Sequence, residues 1–346
     1  MTKISRTTDM TQGSEMRHII MFSLPLLAGN LLQQTYNIVD TMVVGRYLGD
    51  DALAAVGATG SITYLFYTLC IGLSVGAGII VAQYFGAGRQ KALRSAVFNS
   101  ALVTAIFGIV ISLLSVPAAK PILELLKVPD KLMGDSVAYM QIACDGTIAV
   151  AAYNWINAIM RALGDSKTPL IFLGAASLLN ALLDLLFVVV FKFGIAGAAW
   201  ATVLTQALSA ISCIVYCFAV SGEIKLTADD LHTDKDMMSR CVKTGVPIAI
   251  QNGLISVSMV ALQRVTNGFG ETVMAAYTVS MRIEQFVQQP FSSLNAAVST
   301  FTGQNIGAGK EKRAQKGLAC AIKISVIFSA VAVLGSAGVA VGLALQ

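Results

Sequence analysis

Three aspartates, Asp40, Asp145 and Asp184, sit inside long apolar stretches of this chain. An ionised side chain at the centre of a bilayer costs at least about 2.5 to 3.5 kcal/mol, so a carboxyl group there calls for a proton, a cation or a polar cavity. Asp40 stands one helical turn from Tyr36 and Asn37, which puts three polar side chains on one face of an otherwise apolar helix. Asp184 follows Asn180 by four residues, Asn154 and Asn157 are three apart, and Thr202 and Gln206 are four apart. Each pair shares a helical face that is costly against lipid, and the simplest arrangement turns all four faces toward one interior site. The chemistry this offers is cation handling. Apolar surroundings favour the neutral form of a carboxyl, so such an acid can load and release a proton, while oxygen-only ligands from Asp, Asn and Thr also suit a hard ion such as Na⁺. The residues leave both ions open, and for any single Asn or Thr the plainer use is glue between helices.

The elements that must hold these groups are membrane helices. Of 346 residues, 55% are hydrophobic and 12% charged, with mean hydropathy +0.72, more apolar surface than one water-soluble core could hide. Apolar runs near 18–45, 52–82, 92–118, 136–162, 168–192, 194–221, 241–266, 273–303 and 314–345 predict nine helices, each near the length that crosses about 30 Å of hydrocarbon. Residues 1–17 are polar and lack the apolar centre and cleavage pattern of a signal peptide, so the first helix is expected to direct insertion. The six cysteines lie in or beside apolar stretches with no Cys-x-x-Cys or Cys/His cluster, and read as packing residues. The net charge of +5 is spread over short loops rather than along a stripe, which argues against nucleic acid. Basic residues concentrate in the loops on the side of the amino terminus, among them Arg89, Lys91, Arg94, Lys310, Lys312 and Arg313. That side is expected to be cytoplasmic, in a multi-pass protein of the cell inner (plasma) membrane.

One signature is written twice, as Gln83-Tyr-Phe-Gly86-Ala87-Gly88-Arg89 and Gln304-Asn-Ile-Gly307-Ala308-Gly309-Lys310, at an offset of 221 residues. Gly49, Ala54 and Ala55 recur at the same offset as Gly270, Ala275 and Ala276, and Pro25 recurs as Pro247. The first three predicted helices therefore match the seventh to ninth, and a duplicated membrane bundle usually signifies a transporter. The expected fold class is all-α, a polytopic membrane protein of two pseudo-symmetric helical lobes. Its parts are a cytoplasmic segment 1–17, a first six-helix lobe 18–221, a cytoplasmic linker 222–240 and three helices of a second lobe over 241–346. A full second copy would add three helices past Gln346, so the second lobe is incomplete, with nine of an expected twelve helices, and the chain reads as a fragment.

The glycine motif lacks the Gly-x-x-x-x-Gly-Lys-Ser/Thr spacing of a phosphate loop and follows a helix rather than a strand, so it is expected to be a basic turn at the membrane surface. Pro25 and Pro247 each remove a backbone hydrogen bond early in a long helix, as a hinge or as a fixed bend. The halves are chemically unequal: no Asp or Glu occurs from Cys241 through Gly270, where Gln251, Gln263 and Arg264 are the longer polar side chains. Arg282 and Glu284 are two apart and so do not share a helical face. A membrane enzyme would need clustered His, Cys or paired acids near an interface, and the two histidines, His18 and His232, are far apart.

Taken together, these residues resemble the multidrug and toxic compound extrusion (MATE) family. The resemblance rests on Pro25 with Asp40, Gln83 to Gly88, Arg161-Ala-Leu-Gly164-Asp165, Asn180 with Asp184, Gly197-Ala-Ala-Trp-Ala201-Thr202, and Gly303 to Gly309. It implies two lobes that alternate outward and inward access and export organic cations or amphipathic drugs against entry of H⁺ or Na⁺, with no other cofactor and no obligate protein partner. It implies a first-lobe cation site of Asp40, Asn180, Asp184 and Thr202, whose oxygens could also hold Na⁺ as a metal ion, with Asn157 as an accessory. Tyr36, Asn37, Asn154, Gln206 and Gln251 are weaker substrate-binding candidates. One branch of the family carries an acidic residue in the seventh helix, and its absence here favours first-lobe coupling. The alternatives are a lipid-linked oligosaccharide flippase of the same wider fold, which would need a basic cavity for pyrophosphate, and a channel.

Overall fold

In the computed structural model, which describes residues 7–220, 224–227, 230–269 and 271–344, the apolar stretches are helices and no strand occurs among the described residues. Parts of the amino-terminal segment and of the linker, Gly270 of the repeat, and the side chains of Ala275, Gln263 and Arg282 lie outside that description. Ten helices follow in order: α1 Glu15–Leu48, α2 Asp50–Gly86, α3 Gln90–Leu125, α4 Asp130–Asp145, α5 Thr147–Ala162, α6 Lys167–Asp184, α7 Gly194–Val220, α8 Lys235–Asn267, α9 Glu271–Gly307 and α10 Glu311–Ala344. Ser14 opens α1 by accepting from the Arg17 N–H at 3.5 Å, and Asp234 opens α8 by accepting from the N–H groups of Asp236 and Met237 at 2.9 and 3.1 Å.

Nine stretches were expected, and the difference lies in the fourth. It is two helices, α4 and α5, broken at Gly146, where a Cβ would run into the Val203 side chain of α7. Among the described residues, six helices are long and apolar enough to cross a membrane: Asp50–Gly86, Gln90–Leu125, Lys167–Val190, Gly194–Ala219, Lys235–Thr266 and Glu311–Val333. Long helices α1 and α9 fall short of that hydropathy because of polar residues such as Gln33, Gln34, Asn37 and Asp40 in one and Gln285, Gln288 and Gln289 in the other. Large apolar side chains face outward from the others, for example Leu113, Leu178 and Ile327, as a lipid-facing surface requires. Pro25 and Pro247 lie within α1 and α8, which continue past them. Five cysteines are buried, Cys320 is half-buried, and all six are free.

The two repeats cross each other. First-repeat α2 packs along second-repeat α8, and α1 packs against α9 and α10. The α2/α8 seam is made of small residues, since a Cβ on Gly72 would meet the backbone of Ala249 and one on Gly76 the backbone of Gly245. Near the amino terminus α2 meets α9 reciprocally. A Cβ on Gly86 would fall on the carbonyl of Gln304, and one on Gly307 on the carbonyl of Gln83. Residues related by the 221-residue offset therefore face each other across a pseudo-twofold axis. The second glycine of each motif has another task, because Gly88 and Gly309 turn the chain at φ 66° and 70°, the left-handed region. The motif is a turn, as expected, but its first glycine is the place where the two halves touch.

Burial follows the same gradient. Residues 70–82 of α2 and 293–305 of α9 are largely buried, whereas Met42 of α1, Leu254 and Val257 of α8 and Phe286 of α9 are exposed. The halves are shut at the end carrying the amino terminus, the strap end, and fewer residues of these helices are buried toward the other end.

The linker closes onto the first half at the strap end. Arg94 of α3 pairs with Asp230 at 3.5 Å and donates to the Lys225 carbonyl at 3.2 Å, while Asn99 donates to the His232 carbonyl at 3.3 Å and accepts from the Asp234 N–H at 2.8 Å. The Thr227 hydroxyl, the Thr227 N–H and the Arg94 charge hold Asp230 below its ordinary pKa of 3.8. A carboxylate depressed in the folded state stabilises that state above its unfolded pKa, and the contribution is lost as pH falls through the folded value. Amide exchange at Thr227 and Asp234, corrected for intrinsic rates, should therefore stay equally protected from about pH 7 to about pH 5 and lose protection only below the ordinary carboxylate range. Loss of protection already near pH 6 would contradict this account of the linker.

Candidate functional site

Four helices of the first half converge on one polar cluster. Tyr36 and Asp40 come from α1, Tyr139 from α4, Asp184 from α6 and Thr202 from α7. The two carboxyl groups lie close enough to interact directly; the Tyr36 hydroxyl lies beside Thr202, and the Tyr36 and Tyr139 hydroxyls are both within electrostatic range of the two acids. Asp184 is fully buried and Asn180, one turn earlier on the same face of α6, is 1% exposed. Both carboxyl oxygens of Asp184, both amide atoms of Asn180 and Oδ1 of Asp40 are buried with no hydrogen-bond partner of ordinary geometry. Buried polar atoms are nearly always bonded, so this concentration of unmatched oxygens needs an explanation. Two like-charged carboxylates sharing one site repel unless a proton or a cation comes between them, and oxygen donors from Asp, Asn and Thr are suited to either.

The backbone is irregular at this point. The α6 register slips directly after Asp184 into a π helix, Leu185–Val190, which closes with the Phe191 N–H bonded to the Leu186 carbonyl at 2.9 Å. Single π turns recur at functional sites because they break the regular hydrogen-bond register and re-aim side chains.

Of the candidates read from sequence, Tyr36, Asp40, Asp184 and Thr202 meet here, and Asn180 shares the buried face of α6. Others are elsewhere or occupied. Asn154 turns onto its own helix, donating to the Val150 carbonyl at 2.8 Å, and buried Asn157 lies beside Tyr153. Asn37 is exposed and donates to Gln34 at 3.3 Å, while Gln206, one turn beyond Thr202, keeps a buried and unpartnered Oε1. Gln251 is exposed on α8, in an open groove of about 590 Å³ lined also by Pro247, Ile250, Leu254 and Ile255. Asp145 is an exposed residue at the end of α4, 3.4 Å from the Ser112 hydroxyl, because the break at Gly146 carries it away from the interior. Tyr139 escaped the sequence reading. Its signal was a hydroxyl-bearing ring inside an apolar run, and the unforeseen break in that run hid which face it takes.

Comparison with known proteins agrees with this architecture. The MatE family model matches residues 25–186 and 247–336. The chain is 31% identical over 307 residues to YpnP of Bacillus subtilis, a probable multidrug resistance protein, covering 88% of this chain and 68% of that one. It is 30% identical over 335 residues to YoeA, another probable multidrug resistance protein of Bacillus subtilis, covering 95% and 72%. Among solved structures, a MOP superfamily transporter from Pyrococcus furiosus superposes with a TM-score of 0.88 at 24% identity, over 94% of this chain and 73% of that one, which shows the shared fold.

Proposed function

Because the chain belongs to the MATE family of multidrug-efflux transporters, we propose that it exports organic cations or amphipathic drugs in exchange for H⁺ or Na⁺ entering at Asp40 and Asp184. The observation that carries this reading is the pair of interacting carboxyls brought together from α1 and α6, with the oxygens of Asp184 buried and unpartnered. A cation bound between them bridges the two helices, and its departure leaves repulsion that pushes them apart. Occupancy of the pair is thereby converted into a shift of α1 against the rest of its half. Since α1 also packs on α9 and α10 of the second repeat, that shift reaches the seam between the halves. The apolar groove along α8, with Gln251 and Ser258 as its polar points, offers a wall for the greasy body of a drug. Tyr36 and Tyr139 present aromatic faces that suit its cationic head.

The choice of ion is open to direct measurement. Vesicles containing the protein and a fluorescent organic cation are given either a pH gradient or a Na⁺ gradient of equal size. One gradient is expected to drive dye movement at least tenfold faster than the other, and Asp40→Asn should remove the difference. Dye movement that ignores both gradients would refute coupling and leave the rival reading of a channel.

A further inference from the structure

The residues ahead of α1 bind both halves of the molecule at once. On the first half, the Thr8 N–H donates to the Leu163 carbonyl at 3.3 Å, and Gly164 leaves no room for a side chain beside the Thr8 backbone. On the second half, the Met10 N–H donates to Gln304 Oε1 at 2.9 Å, and the Met10 carbonyl accepts from Asn305 at 3.2 Å and from the Arg313 guanidinium at 3.3 Å. Lys310 donates to the Thr11 carbonyl at 2.9 Å, and Arg313 reaches the Gln12 carbonyl at 2.9 Å and Glu15 at 3.2 Å.

Two side chains make this more than a surface tether. Gln304 is fully buried, and while its oxygen holds Met10 its amide donates to the Ala162 carbonyl of α5 at 2.9 Å. One side chain of the second repeat therefore ties together the segment and the first repeat. The Met10 side chain, 1% exposed, fills an apolar pocket with Phe22 of α1, Leu294, Ala297 and Phe301 of α9 and Ala321 of α10. All of this lies beside the reciprocal Gly86 and Gly307 contact, where the two halves are shut.

We propose that residues 7–14 form a strap that latches the closed end. The halves can part there only when the strap leaves Gln304 and the carbonyls it offers to Lys310 and Arg313 lose their partners. This rests on reading the chain as a transporter that opens alternately to its two sides. Strap release and opening of the strap end are then one event, and whatever weakens the strap shifts the protein toward the form open at that end.

Spin labels at Lys91 and Lys312, exposed repeat-related positions at the starts of α3 and α10, report the separation of the halves without any drug or gradient. With Cys320→Ala to avoid stray labelling, the otherwise unaltered protein is expected to give one dominant short distance. Gln304→Leu should raise a longer-distance population at least threefold. Because Gln304→Leu disturbs a buried contact and can impair folding, the double variant Lys310→Ala/Arg313→Ala, which removes the donors to the Met10, Thr11 and Gln12 carbonyls together with the Arg313 contacts to Glu15 and Phe301, serves as the second probe and should shift the population the same way. A well-folded double variant with an unchanged distance distribution overturns the latch. Dye export by the unaltered protein is measured separately, so failure of transport and failure of the latch are told apart.

Discussion

Asp184→Asn is expected to abolish the drug gradient that the protein can sustain. Moving one charge through 100 mV yields about 2.3 kcal/mol, which at about 1.36 kcal/mol per tenfold supports roughly a fiftyfold gradient of a neutral substrate. Asparagine preserves the shape of Asp184 and cannot become an anion, so the site at α6 no longer alternates between loaded and empty. With a neutral amphipathic substrate, the gradient measured in vesicles held at about 100 mV should fall from about fiftyfold to equality, while the variant still binds that substrate. Asp184→Glu should retain part of the gradient, because the titratable group survives and only its reach changes. Full export by Asp184→Asn would remove this acid from the mechanism.

The second large effect concerns the seam. Gly86→Leu and Gly307→Leu should each prevent the strap end from closing, because a side chain at either position meets the carbonyl of the facing helix and not the flexible end of a side chain. Overpacking a core usually costs about 1 to 3 kcal/mol, and here two helix backbones must separate. Loss of stability beyond about 3 kcal/mol is therefore expected, similar for both variants because the two sites are related by pseudo-symmetry. Gly88→Ala differs, since it only places a β-carbon in the left-handed region at a cost of about 1 to 2 kcal/mol. Thermal melts of the three proteins in one detergent separate the cases; equal melting of Gly86→Leu and Gly88→Ala would contradict the close approach of α2 and α9.

Much of this was legible in the chain. Asp40 and Asp184 stood out because a carboxyl in an apolar helix is too costly to be incidental, and their i, i+4 companions Tyr36 and Asn180 marked the faces they share. The 221-residue repeat was legible as well, yet its geometry was not. A turn and a helix crossing both call for glycine, so the Gly-Ala-Gly pattern gave no sign that Gly88 serves the first and Gly86 the second. Helix periodicity runs through Gly146 without interruption, and the Val203 side chain that occupies the space beside that glycine is some 57 residues away. The π turn after Asp184 left no trace either, as Leu185–Val190 is an unremarkable apolar run. The strap was hidden for a related reason. Residues 7–14 are polar and patternless, and what orders them is a set of long-range bonds from Gln304, Lys310 and Arg313.

If Asp40 and Asp184 hold a cation that drug binding displaces, that cation can be counted as it leaves. Drug is titrated into purified protein in weakly buffered solution while released H⁺ is read with a pH dye and released Na⁺ with a sodium-selective electrode. Close to one cation should be released per drug bound, falling to none in Asp40→Asn and Asp184→Asn. Unchanged release from both variants, or drug binding with no release by the unaltered protein, would contradict it.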